Sequence, residues 1–197
     1  MSKWLSFKYA TKKPIIDILM FIDSNLYSYI NIPKKSLLKQ NRSLIIFLTN
    51  LITLANKNNI NFWVNGSTAV SFYNGSFFKK ISDLDLTFKN KVSEEKMGKL
   101  LKSIGFKTIS KRKRGAIKMY SNNYKLEVDL GQINIKNGLF YKAKLNNYFT
   151  TFNGVSLKLI NAKDLIKAYI ILSLTFKRSI KQDLIKIKIL KNAANTI

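Results

Sequence analysis

The chain contains no cysteine, no histidine, 2 prolines and 8 glycines in 197 residues. The missing cysteine and histidine exclude a disulfide framework, a Cys/His zinc site, a Ser-His triad and an imidazole base. The low proline and glycine content excludes collagen-like and proline-rich classes. Because 46% of the residues are hydrophobic and 12% aromatic, the composition is also too apolar for intrinsic disorder. Any chemistry therefore uses carboxylates, lysine, arginine, hydroxyl groups or the backbone.

Acidic residues are scarce, since 35 Lys and Arg stand against 10 Asp and Glu and the formal net charge is +25. A chain of this charge repels itself, which favours a polyanionic partner, nucleic acid ahead of an anionic membrane surface. The competing interpretation is compositional drift, because an AT-rich genome enriches lysine, asparagine and isoleucine without selection for binding. Weighing self-repulsion against drift, we expect a polyanionic partner.

The apolar stretches fall short of the ~20 residues that a membrane span requires, so no transmembrane segment is expected. The first residues lack the apolar core and the small-residue cleavage site of a secretory signal. These features predict a protein of the cytoplasm or of an organellar matrix that is not secreted.

Hydrophobic periodicity divides the chain into three segments: N-terminal helices over residues 1–58, an α/β core over 59–160 and C-terminal helices over 161–197. Together they are expected to form one compact unit. The order indicates an α/β (α+β) fold in which a small mixed β-sheet is flanked by helices. The periodicity predicts helices over residues 14–30, 33–55, 67–73, 93–104, 162–176 and 179–193, and strands over 60–64, 83–88, 116–120 and 124–133.

Four of the 10 acidic residues form two i, i+2 pairs on strand-like segments, Asp83 with Asp85 and Glu127 with Asp129. Because side chains alternate along a strand, each pair projects to one face and its leucine or valine neighbours to the other. A solvated strand face would explain a single pair. Two pairs in so basic a chain favour a bound cation, since clustered like charges cost free energy. Magnesium fits an all-oxygen ligand set best.

Gly66 and Ser67 lie where a predicted strand turns into a predicted helix. At such a turn glycine lets a phosphate approach the backbone, the serine hydroxyl donates to it, and the helix N-terminus offers free N–H groups. An ordinary turn would explain the dipeptide alone. The informative feature is the order of strand, Gly-Ser, helix, loop, D-x-D strand and a later acidic strand.

This order resembles the polymerase β-type nucleotidyltransferases, and among them the AbiEii/MenT-type enzymes, the toxin components of type IV toxin–antitoxin pairs. The family's G-G-T-A-L motif is matched by residues 66–70 and its S-x-D-L-D motif by residues 82–86, with one residue fewer between serine and aspartate. Its late K-x-x-A and R-D-x-x-D segments are similar to residues 164–168 and 177–184. The usual His-Arg before D-x-D is Lys79-Lys80 here.

The resemblance implies a nucleotidyltransferase-like fold, an NTP substrate and magnesium, with two ions. Gly66 and Ser67 would hold the triphosphate, Lys167 would contact the nucleotide and Asp183 would orient it. The resemblance assigns metal binding and catalysis to three residues: Asp83, Asp85 and Asp129. Asp129 would activate the attacking hydroxyl, with Glu127 as the substitute. The alternatives are a solvated helix position for Lys167 and a surface ion pair for Asp183.

The segment 107–118 is rich in lysine and arginine and contains no acidic residue. Its centre is predicted to contact RNA phosphates rather than to form only a solvated hairpin. The residues concerned are Lys111, Arg112, Lys113 and Arg114.

The sequence therefore predicts a metal-dependent nucleotidyltransferase that transfers a nucleoside monophosphate from an NTP to RNA, with tRNA as the expected acceptor. The alternative is a non-catalytic basic RNA-binding protein of the same fold, such as a subunit of a ribosome or of an organellar ribonucleoprotein. Transfer to a protein or a small molecule is disfavoured by the charge. The expected partners are tRNA or rRNA, together with a cognate antitoxin or ribosomal proteins.

Overall fold

A computed structural model describes residues 3–22, 34–111, 116–133, 143, 145–173 and 180–195. The chain is helical at both ends, and helices and strands follow one another in its middle part. In chain order the elements are α1 (Lys3–Ile22), α2 (Lys34–Gln40), α3 (Arg42–Lys57), β1 (Trp63–Val64), α4 (Gly66–Asn74), β2 (Asp83–Phe88), α5 (Lys91–Ser103), β3 (Lys107–Lys111), β4 (Ile117–Ser121), β5 (Leu126–Gln132), β6 (Leu145–Phe152), β7 (Val155–Ile160), α6 (Ala162–Ser173) and α7 (Ile180–Asn195).

The strands form one 7-stranded mixed sheet in the order β3-β4-β5-β2-β1-β7-β6. The central pair β2–β5 is parallel, as is β1–β7, and the other neighbouring strands run antiparallel. A mixed sheet flanked by helices confirms the α/β (α+β) prediction. The strand β1 has only 2 residues, because its chain turns at Asn65 directly into α4.

One face of the central strands is apolar and buried. Leu84 and Leu86 of β2 and Val128 and Leu130 of β5 are at most 1% exposed. The helix α5 packs against this face, with Gly98 close to the side chain of Leu130. Burial of one face leaves the alternate residues of both strands on the opposite, half-buried face.

The start of α5 differs from the prediction. The helix begins at Lys91, two residues before the predicted start at residue 93, and its N-cap is Asn90, whose Oδ1 accepts a hydrogen bond from the backbone N–H of Ser93 at 2.9 Å. Asparagine and serine are both good N-cap residues. Here Asn90 is the cap because its side chain accepts from the N–H three residues further on.

The N-terminal helices also differ from the prediction. The helix α1 begins at Lys3 and continues through Pro14, so the predicted start at Pro14 is wrong. Proline in a helix interior removes one hydrogen bond but does not prevent the helix from continuing. The predicted helix over 33–55 is two helices, because the chain breaks at Asn41, a buried residue whose side chain bonds to the neighbouring loop. The rest of the first predicted helix lies outside the described residues.

The C-terminal helices α6 and α7 pack against each other, and α7 also contacts α4. Asp17 joins α1 to α7 through its carboxylate oxygens, which lie 2.6 Å from Lys13 Nζ and 3.1 Å from Lys191 Nζ. Burial alone would raise the pKa of Asp17, but the hydrogen bonds from the two lysines outweigh it and lower that pKa. Among the described helices, none is long and apolar enough to cross a membrane.

Glu94 is a source of pH-dependent stability. It is 2% exposed, and its Oε2 accepts a hydrogen bond from the Gln132 amide, while its Oε1 has no hydrogen-bond partner among the described residues. Burial raises the pKa of Glu94, and the Gln132 hydrogen bond opposes it only in part. The folded protein therefore holds this proton more tightly than the unfolded chain. The stabilisation is complete below the ordinary glutamate pKa and is lost as pH rises through the raised pKa.

We expect Glu94→Gln to flatten this pH dependence and to raise the thermal midpoint at pH 7 relative to pH 4. The amide keeps an acceptor for Gln132 and carries no charge to desolvate. Thermal unfolding followed by circular dichroism at both pH values measures the effect, with the exposed Glu95→Gln as the control. An unchanged pH profile in Glu94→Gln would contradict the assignment.

Candidate active site

The four strand carboxylates lie side by side at the middle of the sheet. In the parallel register of β2 and β5, Asp83 is opposite Glu127 and Asp85 is opposite Asp129. Directly opposed residues on neighbouring strands share a face, and the strands are about 4.8 Å apart. The structure thus brings together the two acidic pairs that the sequence indicated, although 37 residues separate β2 from β5 in the chain.

Lys118 of β4 distinguishes the two acids of β5. It lies opposite Asp129 in the register, and its Nζ forms an ion pair with Glu127 Oε2. Glu127 thus has an ion pair with a lysine of its own sheet, and Asp129 lies opposite Asp85, the residue that is next to Gly66. This arrangement favours Asp129 over Glu127 as the third carboxylate.

Gly66 lies against Asp85. A Cβ atom added to Gly66 would be 1.9 Å from Asp85 Oδ2, and Gly66 has φ +65°, in the left-handed region that glycine adopts readily. The turn is held by the backbone N–H of Asn65, which donates to the carbonyl oxygen of Asp85 at 3.0 Å. Only a residue without a side chain fits between the start of α4 and the D-x-D strand.

Ser67 is the second residue of α4, so the free N–H groups of the first helical turn start beside Asp85. The helix N-terminus favours a negatively charged group there. Ser67 itself is only 6% exposed, and its carbonyl oxygen accepts a hydrogen bond from Ser71 Oγ at 3.1 Å. The backbone of this turn is thus better placed than the Ser67 hydroxyl to meet a phosphate.

The residues fit a hard divalent cation in donor chemistry. All the candidate ligands are carboxylate oxygens, and they occupy one face of two adjacent strands, next to a glycine with no room for a side chain. Across the part of the chain that the structure describes, no three carboxylates converge closely enough to hold an ion as they stand. Asp83, Asp85 and Asp129 are the residues that would hold it.

Lys167 and Asp183 lie on the C-terminal helices. Lys167 Nζ is 3.4 Å from Asp164 Oδ1 on the same helix, and its side chain is 39% exposed. Asp183 is fully buried and lies 3.3 Å from the Nζ of Lys186, which is also 4.7 Å from the ring centroid of Tyr169. The alternative of a surface ion pair at Asp183 is therefore wrong, because α7 buries this pair where it packs against its neighbours. The nucleotide roles of both residues stay predictions.

The predicted RNA-binding residues are described only in part. Lys111 is the last residue of β3, an edge strand whose described residues are all exposed. Arg112, Lys113 and Arg114 lie outside the described residues. The interpretation of this segment as an RNA contact stays a prediction.

Sequence reasoning missed two residues that shape the site, Lys118 and Asn41. The alternation of Ile117–Ser121 would have put Lys118 on one face of a strand, but only the register shows that this face is the acidic one. The burial of Asn41 could not be predicted from its neighbours, since a single asparagine in an apolar helical pattern is usually exposed to solvent.

Comparison with known proteins identifies the family of this chain. The family model described as aminoglycoside-2''-adenylyltransferase matches residues 47–150, which is just over half of the chain and includes Gly66, Asp83, Asp85 and Asp129. The chain belongs to this family. The chain is thus a nucleotidyltransferase by family, as the sequence predicted, whereas the narrower AbiEii/MenT assignment stays a prediction. A search of curated protein sequences gave no match.

Solved structures with a similar fold are also nucleotidyltransferases. The lincomycin-bound lincosamide antibiotic adenylyltransferase LnuA has a TM-score of 0.54 at 17% identity over 74% of this chain and 95% of that one. ANT(2'')-Ia in complex with adenylyl-2''-tobramycin has a TM-score of 0.58 at 13% identity over 79% and 98%. A nucleotidyltransferase-like antigenic protein from Paracoccidioides brasiliensis has a TM-score of 0.53 at 16% identity over 76% and 75%. At these identities the likeness shows the fold.

Proposed function

We propose that this member of the aminoglycoside-2''-adenylyltransferase family transfers a nucleoside monophosphate from an NTP to a hydroxyl group of RNA. The observation that carries the catalytic part is the Asp85–Asp129 register beside Gly66. ATP is the first donor to test, because the family is named for adenylyl transfer. The resemblance of residues 66–70 and 82–86 to the toxin-type enzymes supports the same reaction class.

In the proposed reaction an acceptor hydroxyl oxygen attacks the α-phosphorus, a new P–O bond forms, and pyrophosphate leaves. Asp129 accepts the proton of the attacking hydroxyl. The backbone at Gly66 and Ser67 binds the phosphates, and the half-buried face orients donor and acceptor in line. Magnesium bound by Asp83, Asp85 and Asp129 would neutralise the charge that develops on the phosphate oxygens.

The choice of RNA as acceptor rests on charge. An aminoglycoside carries several ammonium groups, so a protein of net charge +25 repels it over the whole approach. A site for such a cation also needs acidic residues beyond those at the metal, and the chain has only 10 in all. A polyanionic acceptor gains attraction from the same charge, with affinity that falls as salt rises.

The second candidate is transfer to an antibiotic hydroxyl. It is favoured by the match to an antibiotic-modifying family and by the two neighbours whose structures contain lincomycin or adenylylated tobramycin. A weakly charged antibiotic such as a lincosamide would be repelled far less than an aminoglycoside, because repulsion scales with the charge of the ligand.

One assay separates these acceptors. The protein is incubated with magnesium and ATP labelled at the α-phosphate, and in parallel with total tRNA, tobramycin or lincomycin. We expect label on RNA only, with a rate that falls several-fold between 50 and 200 mM salt. ATP labelled at the γ-phosphate is the control and should transfer nothing, and the other three NTPs establish donor choice.

Label on an antibiotic with none on RNA would establish the second candidate instead. Absence of label on all three acceptors with every NTP would contradict catalysis and favour the non-catalytic RNA-binding alternative. Binding of tRNA, measured by fluorescence anisotropy without NTP, tests that alternative directly.

A further inference from the structure

A groove of about 400 Å³, whose surface is mostly apolar but which is lined by three cationic residues, lies between the α2–α3 junction and the turn from β6 to β7. None of the described residues that line it is acidic. The lining residues are Lys35, Leu38, Lys39, Arg42, Ile45 and Asn153. Three of these six side chains carry a positive charge and are exposed to solvent.

The positive charges of the groove are close together. Lys35 and Lys39 are four residues apart on α2, so their Cβ atoms are about 5–6 Å apart on one helix face, and Arg42 opens the next helix. Like charges at this spacing destabilise a helix unless an anion lies between them. Leu38, which is 42% exposed, adds apolar surface at the same place. Cations beside exposed apolar surface suit a sugar-phosphate chain better than a free inorganic anion.

Asn41 connects the groove to the D-x-D strand. Its Nδ2 donates to the carbonyl oxygens of Leu37 at 2.8 Å and Lys79 at 3.1 Å, and its Oδ1 accepts from the N–H of Ile81 at 2.8 Å. Asn41 is 1% exposed, so these hydrogen bonds are protected from water. Ile81 is two residues before Asp83, a span of about 7 Å in extended chain.

The loop that Asn41 holds adds to the positive surface. Lys79 and Lys80 lie on this loop, shortly before Asp83 in the sequence. Through Asn41, the loop that leads into the D-x-D strand is thus fixed to the junction of α2 and α3, beside the groove.

We propose that this groove binds the phosphate backbone of the acceptor RNA and holds it in register with Asp83 and Asp85. The inference rests on the proposed function for the identity of the acceptor. Binding in the groove needs neither NTP nor magnesium, so it can be measured apart from catalysis. Arg42 supplies the two-pronged phosphate contact, and Lys35 and Lys39 supply point charges.

The test compares two triple variants of the full chain that remove equal charge. Lys35→Gln/Lys39→Gln/Arg42→Gln empties the groove of charge, whereas Lys96→Gln/Lys99→Gln/Lys102→Gln removes three exposed lysines from α5. Binding of labelled tRNA is measured by anisotropy from 50 to 200 mM salt. We expect the groove variant to bind about tenfold to a hundredfold more weakly, and its salt slope to fall by about 2–3. The α5 variant should lose much less.

Equal losses in the two triple variants, or tRNA binding too weak to measure in the unmodified protein, would overturn the groove assignment. If the groove triple variant unfolds, the single variant Lys39→Glu, at an exposed helix position, is used instead, and its loss of tRNA affinity is compared with that of the α5 variant. A groove that binds tRNA in a protein that labels no RNA supports the groove and refutes the proposed catalysis. RNA labelling that is equally fast in both triple variants supports catalysis and refutes the groove.

Discussion

We expect Asp85→Asn to lower nucleotidyl transfer by at least about a thousandfold, a loss of ~4 kcal/mol in transition-state stabilisation. The reason is the position of Asp85 between Gly66 and Asp129, where the phosphates and their counter-ion would meet. Asparagine keeps the shape and removes the charge, so the loss reports electrostatics rather than packing. The measurement is initial-rate transfer of α-labelled nucleotide to the acceptor found above.

The matched control for this loss is Glu95→Gln, an equal loss of charge at a solvent-exposed ion pair with Lys91 on α5. It should leave the rate within about twofold, because an exposed ion pair contributes little and lies outside the site. Asp129→Asn should reduce the rate strongly and Glu127→Gln much less. If Glu127→Gln lost more of the transfer rate than Asp129→Asn, Glu127 rather than Asp129 would be the third carboxylate.

Gly66→Ala introduces both backbone strain and a steric clash. Gly75→Ala introduces the backbone strain alone and therefore serves as its control. Gly66 has φ +65° and Gly75 has φ +62°, so alanine suffers the same left-handed strain at either position, about 1–2 kcal/mol. Only at Gly66 does the new Cβ collide with Asp85, at 1.9 Å from Oδ2, whereas nothing lies within 4 Å of the Cβ position at Gly75. Asp85 must therefore move in Gly66→Ala.

We expect Gly75→Ala to be less stable but to keep its rate, and Gly66→Ala to lose about a hundredfold or more in rate through displacement of Asp85. Thermal unfolding and transfer rate are measured on both variants. If both lose the same stability and Gly66→Ala also keeps its rate, the contact between Gly66 and Asp85 has no part in catalysis.

Local patterns predicted the elements of this fold well where one face of a strand or helix is buried. The alternation of Asp83–Phe88 matches β2 residue for residue, and the Gly-Ser turn is followed by α4 as expected. Two of the boundaries that failed, at α3 and at α5, depend on single asparagine side chains. Asn41 bonds to the backbone of Ile81, whose position is set by the tertiary fold and is not contained in a helical pattern. Asn90 bonds locally to the N–H of Ser93, at a start where the sequence offers more than one residue able to cap the helix.

The composition of the site was predictable in kind but not in detail. Two acidic pairs on strands suggested a shared centre, yet the pairing of β2 with β5 and its register depend on the intervening elements. For the same reason the sequence could not predict the ion pair of Lys118 with Glu127 or the burial of Asp183. A residue's face can be derived from its neighbours in sequence, whereas its partner on the next strand cannot.

The parallel pairing of β2 with β5 has a consequence for folding. The segment 89–125, which contains α5, β3 and β4, separates these two strands, so their contact closes a long loop. Contacts of this kind form late and lower the folding rate. Bringing like charges together adds a further barrier at that step. The carboxylate cluster is therefore assembled only in the complete native state, and partial opening of the sheet is enough to dismantle it.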